Sequence, residues 1–197
     1  MEARTCRGSG AGGRGSKSRP RREERLERAV GATNWCTLGA MVDKDKLAEA
    51  RRRAEARDYG ATARLARELL EQSPDDVVTL DLLGYALYFL GQIDEAESVC
   101  RRTLELSPEH AYAFKGLGLC LAKRGRIDDG AAALERAIAL KPKWFDPYWD
   151  LSVSLVEARR YGAVFEVLRR ARAELPDRAA EWDKMEKHAR AAGARAR

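Results

Sequence analysis

Long apolar runs are missing from this 197-residue sequence, and so are several of the motifs that carry chemistry. No stretch approaches the roughly 18 apolar residues that a membrane-spanning helix needs. The N-terminal region also lacks the apolar core of about 7 to 15 residues that a secretory signal requires. We therefore expect neither a membrane span nor a secretory signal.

Cysteine and histidine are scarce, with four and two residues. No CxxC pair occurs and no histidine stands near a cysteine in the sequence, so neither a metal site nor a disulfide is expected. Cys100 and Cys120 replace apolar or small residues and are expected to be buried free thiols, which favours a reducing compartment. His110 and His188 stand alone, without partners for general base catalysis. With no phosphate-binding loop or nucleophile elbow, we expect no cofactor and no enzymatic activity.

Proline is also sparse, but its placement is the most informative feature of the chain. Four of the six prolines, Pro74, Pro108, Pro142 and Pro176, are spaced 34 residues apart. A helical pattern broken by proline at this period is typical of helix-turn-helix repeats that stack into a solenoid. The spacing divides the sequence into units 43–76, 77–110, 111–144 and 145–178.

The units agree at the positions where two antiparallel helices of one unit would cross. The eighth residue is always small, and the twentieth is small in three units, Val164 being the exception. Apolar residues recur three and four residues apart around these positions, which is the period of one helix face. The eighth-position residues are Ala50, Gly84, Gly118 and Ser152.

Turn residues support the same phase. Gly91 and Gly125 fall where the first helix of each inner unit must end, and Asp94 and Asp128 fall where the second helix begins. Asp146-Pro147 has the sequence of an N-cap followed by a first-turn proline. Each unit is therefore expected to be a pair of helices joined by a tight turn.

The third unit reads Phe114-x2-Leu117-Gly118-x2-Leu121, then Gly130-x3-Leu134, then Pro142. This resembles the tetratricopeptide repeat, whose pattern is W-x2-L-G-x2-Y, A-x3-F and P. The resemblance covers residues 43–192. It implies an all-α, right-handed α-solenoid of four 34-residue repeats plus a C-terminal capping helix, whose first helices line a concave groove that holds a peptide or another protein.

The expected domain organisation follows from the repeats and from charge. Residues 1–40 carry nine Lys or Arg and four Asp or Glu, whereas the remainder is nearly neutral. We expect 1–40 to be a disordered basic tail, with an upstream extension before Met41 as the alternative; a transit peptide is a further reading. Residues 43–192 form the repeat domain, 178–191 a capping helix, and 193–197 a disordered tail.

The resemblance also implies which side chains face the groove: the second, fifth, ninth and twelfth residues of each first helix. Aromatic side chains there suit ligand anchoring, because they bury large areas with few rotatable bonds. Partly buried packing between neighbouring helices is the alternative. The candidate partner-binding residues are Asp81, Tyr85, Tyr88, Tyr112, Lys115, Leu119, Trp149 and Val153.

Some members of this family grip a C-terminal carboxylate with several groove cations. Here the corresponding residues retain only one cation, so this mode of binding is not expected. These residues are Leu47, Arg51, Leu82, Tyr112 and Gly116.

The sequence therefore predicts a non-enzymatic, cytoplasmic interaction module or scaffold with a protein or peptide ligand. A small dedicated chaperone similar to secretion-type repeat chaperones is the alternative within this class. Nucleic-acid association through the basic tail is the alternative from another class, although the repeat domain carries little net charge for it. The oligomeric state is not specified by the sequence.

Overall fold

The computed structural model describes residues 43–195, and the regular secondary structure in that range is entirely helical. Eight helices form four consecutive antiparallel pairs, one pair in each unit. A 3-10 turn, Pro176–Arg178, then leads into a ninth helix. The helices are α1 Lys44–Glu55, α2 Tyr59–Gln72, α3 Val77–Phe89, α4 Ile93–Leu106, α5 Ala111–Lys123, α6 Ile127–Leu140, α7 Phe145–Glu157, α8 Tyr161–Glu174 and α9 Ala179–Arg195.

The 34-residue period reappears in the loops between units. Three of the four periodic prolines lie in these loops, and Pro176 opens the 3-10 turn. One backbone hydrogen bond recurs in each: the amides of Asp76, His110, Trp144 and Arg178 donate to the carbonyl three residues earlier, at 3.0–3.2 Å. The sequence period thus corresponds to one repeated backbone geometry, and the expected helical solenoid of four units is confirmed.

Within each unit, the turn between its two helices is also the same. Gly91 and Gly125 adopt left-handed backbone conformations with φ of 77°, as expected for the residue that follows a helix. In the first and fourth units the same conformation is taken by Arg57 and Arg159, with φ of 60° and 59°. The sequence had predicted where these turns lie, but not that arginine would adopt the left-handed conformation.

The helices of the third unit cross with their backbones in close approach. A Cβ atom at Gly118 would lie 2.7 Å from Leu134 Cγ and 2.9 Å from the carbonyl oxygen of Gly130. A Cβ at Gly130 would lie 2.8 Å from the carbonyl oxygen of Gly118. The absence of side chains at both positions therefore allows α5 and α6 to touch, which confirms the predicted crossing.

The first and last helices of the stack differ in the size of the apolar side chains that they bury. Helix α1 buries only Ala50 and Ala54, so the first unit contributes a narrow apolar seam. At the other end, Trp182 and Met185 of α9 are buried against the fourth unit, and the Trp182 Nε1–H donates to the carbonyl of Leu175 at 3.3 Å. This packing gives α9 the capping role that its sequence predicted.

Three predicted boundaries are wrong in detail. Trp144, not Asp146, is the N-cap of α7, and Asp146 lies in the first turn instead. Asp94 and Asp128 are likewise first-turn residues and not N-caps. A carboxylate in the first turn nevertheless stabilises a helix, because it interacts favourably with the positive end of the helix dipole. The capping helix does not end at 191: it continues to Arg195, and a Cβ atom at Gly193 would lie 3.3 Å from Cδ2 of Tyr161. Predictions for residues 1–40 lie outside the described residues.

Candidate functional site

The eight candidate groove residues lie on the first helices of units two, three and four, and every one of them is partly exposed. They are neither buried like the core residues beside them nor fully open to solvent. Asp81, for example, lies between the buried Leu80 and Leu82 on α3. Such half-buried side chains can contact a ligand without a large rearrangement.

Asp81 forms a polar contact between α3 and the residue that begins α5. Its Oδ2 lies 2.6 Å from Nε2 of His110, the N-cap residue of α5. The side chains are 21% and 13% exposed, so water screens this contact only partly. Burial raises the pKa of Asp81 above its usual value, and the hydrogen bond with His110 opposes that shift. His110 is therefore not isolated, contrary to the sequence analysis.

Tyr112 and Lys115 of α5 lie with Trp144 at the junction of units three and four. The Tyr112 and Trp144 rings stack with centroids 6.0 Å apart and an interplanar angle of 18°. The Lys115 ammonium lies 5.8 Å from the Tyr112 centroid and 5.6 Å from that of Trp144. It also pairs with Asp150 of α7, with Nζ and Oδ2 3.4 Å apart. This group presents a cation, an acid and two rings within one small region.

The environment of Tyr112 is apolar and electronegative. Burial, followed by the charges of Asp81 and other neighbours including Asp146, raises the pKa of the Tyr112 hydroxyl well above its usual value. The hydroxyl is therefore neutral at physiological pH. It can donate a hydrogen bond to a ligand or accept one.

Tyr85 and Tyr88 belong to a different set of ring contacts near the C-terminal end of α3. Tyr85 meets Tyr59 edge-on at 5.8 Å and Phe89 at 4.9 Å, and Tyr88 meets Phe89 at 5.4 Å. Trp149 lies in a third set, 5.7 Å from Phe145. Ring contacts therefore join Tyr85 and Tyr88 to Phe89, Tyr112 to Trp144, and Trp149 to Phe145.

The remaining candidates are partly exposed side chains, two of which also pack against the core. Val153 and Trp149 pack against the core of the fourth unit, and the ring of Trp149 lies 6.5 Å from that of Trp182. Leu119 is partly exposed on α5. The packing of Trp149 and Val153 agrees with the alternative interpretation from the sequence, and ligand contact by these residues stays a prediction.

Sequence reasoning missed Trp144 and Asp150 as members of the site. Trp144 is the last residue of its repeat and Asp150 is the sixth of the next, so neither falls in the groove columns that the family pattern implies. A signal was nevertheless present: four of the six residues 144–149 are aromatic, namely Trp144, Phe145, Tyr148 and Trp149.

The cysteines match their expected role in the described part of the chain. Cys100 and Cys120 are buried and free, and they lie side by side across the contact between α4 and α5. The hydrogen bond with Cys120 and burial together raise the pKa of Cys100 well above its usual value. Within residues 43–195, no three His, Cys, Asp or Glu side chains converge as metal ligands.

None of the helices in the described range combines the length and hydropathy of a membrane-spanning segment.

Stacked helix pairs whose first helices share a half-buried stripe of aromatic and charged residues define a helical-repeat protein. Residues 82–147 match the sequence profile of the tetratricopeptide-repeat family. Sequence comparison with curated proteins found no match.

Solved structures share the fold at low sequence identity. TTC0263, a thermophilic TPR protein of Thermus thermophilus, is 18% identical, with a TM-score of 0.65 over 81% of this chain and 86% of its own. A MamA protein is 20% identical, with a TM-score of 0.57 over 75% of this chain and 86% of its own.

The first TPR domain of Spaghetti (RPAP3), solved with an HSP90 peptide, is 18% identical. Its TM-score is 0.52 over 59% of this chain and 95% of its own.

Proposed function

We propose that this protein is a non-enzymatic interaction module that holds a peptide or protein segment along its first helices. The observation that carries the proposal is the group formed by Tyr112, Trp144, Lys115 and Asp150. These side chains come from two neighbouring repeats and combine ring faces with opposite charges in a half-buried setting. Such a group offers both apolar contact area and polar orientation to a bound segment.

The proposed groove extends in both directions from this group. Asp81 of α3 and His110 at the start of α5 supply a polar contact, and Tyr85 and Tyr88 follow Asp81 along α3. On α7, Trp149 adds a ring. The peptide-bound RPAP3 domain supports this proposal, because a fold similar to this chain holds a short peptide.

The small-chaperone alternative is favoured by one observation, the polar first unit. Helix α1 buries two alanines, far fewer residues than α3 or α7, and a polar first unit before stronger repeats is the feature on which the resemblance to secretion-type chaperones rests. Both functions use the same groove, so they differ in the folding state of the partner and not in the site.

Nucleic-acid binding by the repeats has less support. The adjacent arginines of α4 and α8 are engaged with carboxylates: Arg101 with Glu97 at 2.7 Å, and Arg170 with Glu135 at 2.7 Å. Cations paired in this way release few counterions from a nucleic acid.

Affinity capture followed by calorimetry tests the groove. The full chain is compared with Tyr85→Ala, Trp149→Ala and Lys115→Glu, each first shown by circular dichroism to be folded. The matched control for charge is Arg136→Glu on second helix α6, where the side chain is 50% exposed. We expect each aromatic variant to lose about 2 kcal/mol of binding free energy, or about thirtyfold in affinity.

Lys115→Glu should also weaken binding, whereas Arg136→Glu should bind like the wild type. If the groove variants bind normally and Arg136→Glu does not, the convex face is the binding surface. A partner captured only in its unfolded form would favour the chaperone function.

A further inference from the structure

The two cysteines within residues 43–195 face each other where unit two meets unit three. Cys100 lies on α4, the second helix of unit two, and Cys120 lies on α5, the first helix of unit three. Both thiols are free, and the two residues are 7% and 1% exposed. Neither residue belongs to the proposed groove, so the pair has no part in the proposed function.

The backbone of α5 makes room for the sulfur atom of Cys100. A Cβ atom at Gly116 would lie 2.8 Å from Cys100 Sγ, which is closer than a real side chain permits. Gly84 of α3 also lies beside this sulfur, with a Cβ position 3.6 Å away. Cys100 Sγ therefore packs directly on α5, at a point where any residue larger than glycine would displace it.

Cys120 lies on the same face of α5, one turn beyond Gly116. Residues four apart on a helix are neighbours, with Cβ atoms about 5–6 Å apart. Cys100 shares an apolar cluster with Leu121 of α5. Cys120 shares another cluster with Ala96 of α4. Each thiol thus packs against the helix that carries the other, and a hydrogen bond joins them.

This hydrogen bond makes the two thiols chemically unequal. It lowers the pKa of Cys120, whereas the same bond and burial raise the pKa of Cys100 well above its usual value. The charge of Glu97 disfavours the thiolate at both positions, but Arg101 and Arg124 pair with its carboxylate. The thiolate is the nucleophilic form of cysteine, so Cys120 is the better nucleophile of the two.

Burial and proximity together decide which oxidation this pair can undergo. Hydrogen peroxide is little larger than water, whereas an aromatic or peptide-sized disulfide reaches these thiols only after the helices separate. A sulfenic acid formed beside a second thiol condenses with it to a disulfide, and this step protects the sulfur from further oxidation. A peroxide can therefore oxidise the pair as a unit, which a single buried cysteine does not allow.

We propose that Cys100 and Cys120 are a modification site at which hydrogen peroxide forms a reversible disulfide that links unit two to unit three. First, the Cys120 sulfur attacks a peroxide oxygen, the O–O bond breaks, and the departing hydroxide takes the thiol proton, which gives a sulfenic acid and water. Second, the Cys100 sulfur attacks the Cys120 sulfur, the S–O bond breaks, and the departing hydroxide takes the Cys100 proton to form a second water. Two thiols lose two electrons, and one peroxide is reduced to two waters. A dithiol reverses the bond by exchange.

The test uses the full chain in its folded, reduced state. The protein is treated with increasing hydrogen peroxide, remaining thiols are blocked with iodoacetamide in urea, and the unreduced tryptic digest is analysed by mass spectrometry. Peptides 68–101 and 116–123 each contain one cysteine of the pair, so a disulfide between these peptides identifies the bond. Cys6 and Cys36 are internal comparators, because four cysteines allow three ways of pairing.

We expect the bond between Cys100 and Cys120 in the folded protein, its loss on adding dithiothreitol, and mixed pairings when peroxide is added in urea. A bulky aromatic disulfide reagent should react with these two thiols only in urea. Absence of the bond in the folded protein, or pairing of either residue with Cys6 or Cys36 there, would overturn the proposal.

Single alanine variants, each shown by circular dichroism to be folded, separate the roles of the two sulfurs. In Cys100→Ala the sulfenic acid at Cys120 has no neighbouring thiol, so dimedone added on unfolding should label peptide 116–123 after peroxide treatment. In Cys120→Ala the labelling of Cys100 should be weaker by about tenfold or more, because burial still disfavours its thiolate. Equal labelling in the two variants would overturn the assignment of Cys120 as the attacking sulfur.

The bond should also stabilise the fold, which a disulfide formed in unfolded chains would not do. We expect the urea midpoint of the oxidised protein to exceed that of the reduced protein by about 1–2 M, because a cross-link reduces the conformational freedom of the unfolded chain. Cys120→Ala treated with the same peroxide is the matched control and should show no rise. A lower midpoint after oxidation would overturn the proposal, since the disulfide would then not fit the folded helices. The site lies in the core, so neither result depends on the proposed function.

Discussion

Replacing Gly118 by alanine tests the close crossing of α5 and α6, and Gly84 provides a matched control. Both glycines are the eighth residue of their unit and lie inside a first helix. At Gly118 the new methyl group would lie 2.7 Å from Leu134 Cγ and 2.9 Å from a backbone oxygen. At Gly84 the nearest atoms are side-chain atoms at 3.5 Å and 3.6 Å, which is ordinary contact.

The two substitutions should therefore change stability in opposite directions. Alanine in a helix interior is favoured over glycine by about 1 kcal/mol, so Gly84→Ala should stabilise the protein by up to that amount. At Gly118 the same gain is opposed by overpacking, and the oxygen of Gly130 cannot move unless α6 shifts as a whole. We expect Gly118→Ala to destabilise by about 1–2 kcal/mol, and Gly118→Leu by more than about 2 kcal/mol.

Urea unfolding followed by far-ultraviolet circular dichroism measures both effects. An unchanged slope with shifted midpoints would show that the variants differ in stability and not in the surface exposed on unfolding. A Gly118→Ala protein as stable as the wild type would mean that the third unit does not close on a glycine contact. Parallel shifts in both alanine variants would mean that helix propensity, and not the crossing, sets the result.

Trp182→Ala should destabilise the fourth unit by about 3–5 kcal/mol, because a fully buried indole and its hydrogen bond are lost. Thermal unfolding measures this loss, and a small change would show that the stack does not need α9 as a cap. Glu97, held by Arg101 and Arg124, has a pKa lowered chiefly by its hydrogen bond to Arg101, so it stabilises the fold above its unfolded pKa. Glu97→Gln should be less stable than wild type at pH 7, with the difference vanishing as pH falls below about 4; a constant difference across pH titrations would contradict this assignment. Deleting residues 1–40 should leave the melting temperature unchanged, because that sequence lacks apolar periodicity, and a fall of many degrees would show that it packs on the repeats.

The periodic features of this chain were predictable because each depends on local chemistry. Proline ends a helix wherever it occurs, and a small residue is needed wherever two helices cross closely, so Pro142 and Gly118 carry structural information without knowledge of their neighbours. Repetition then strengthens the prediction, since four units report the same pattern. The helix pairs, the crossing and the capping role of Trp182 follow from this.

The sequence indicated which positions of each first helix carry the candidate residues. It did not indicate which side chains those residues contact. The pairing of Asp81 with His110 joins residues 29 positions apart, and the contact between Lys115 and Asp150 joins residues of different units. Such pairings depend on how one unit rotates against the next, which small differences in packing decide.

The sequence by itself determined the all-helical repeat, its period, its turns and the helices that carry the candidate groove, because these are properties of each unit. Only the tertiary structure decided which side chains meet between units. It brought Lys115 of the third unit beside Asp150 of the fourth, and it paired Arg160 of the fourth unit with Asp128 of the third. Those contacts depend on the distances between units, which are set by packing that no single repeat encodes.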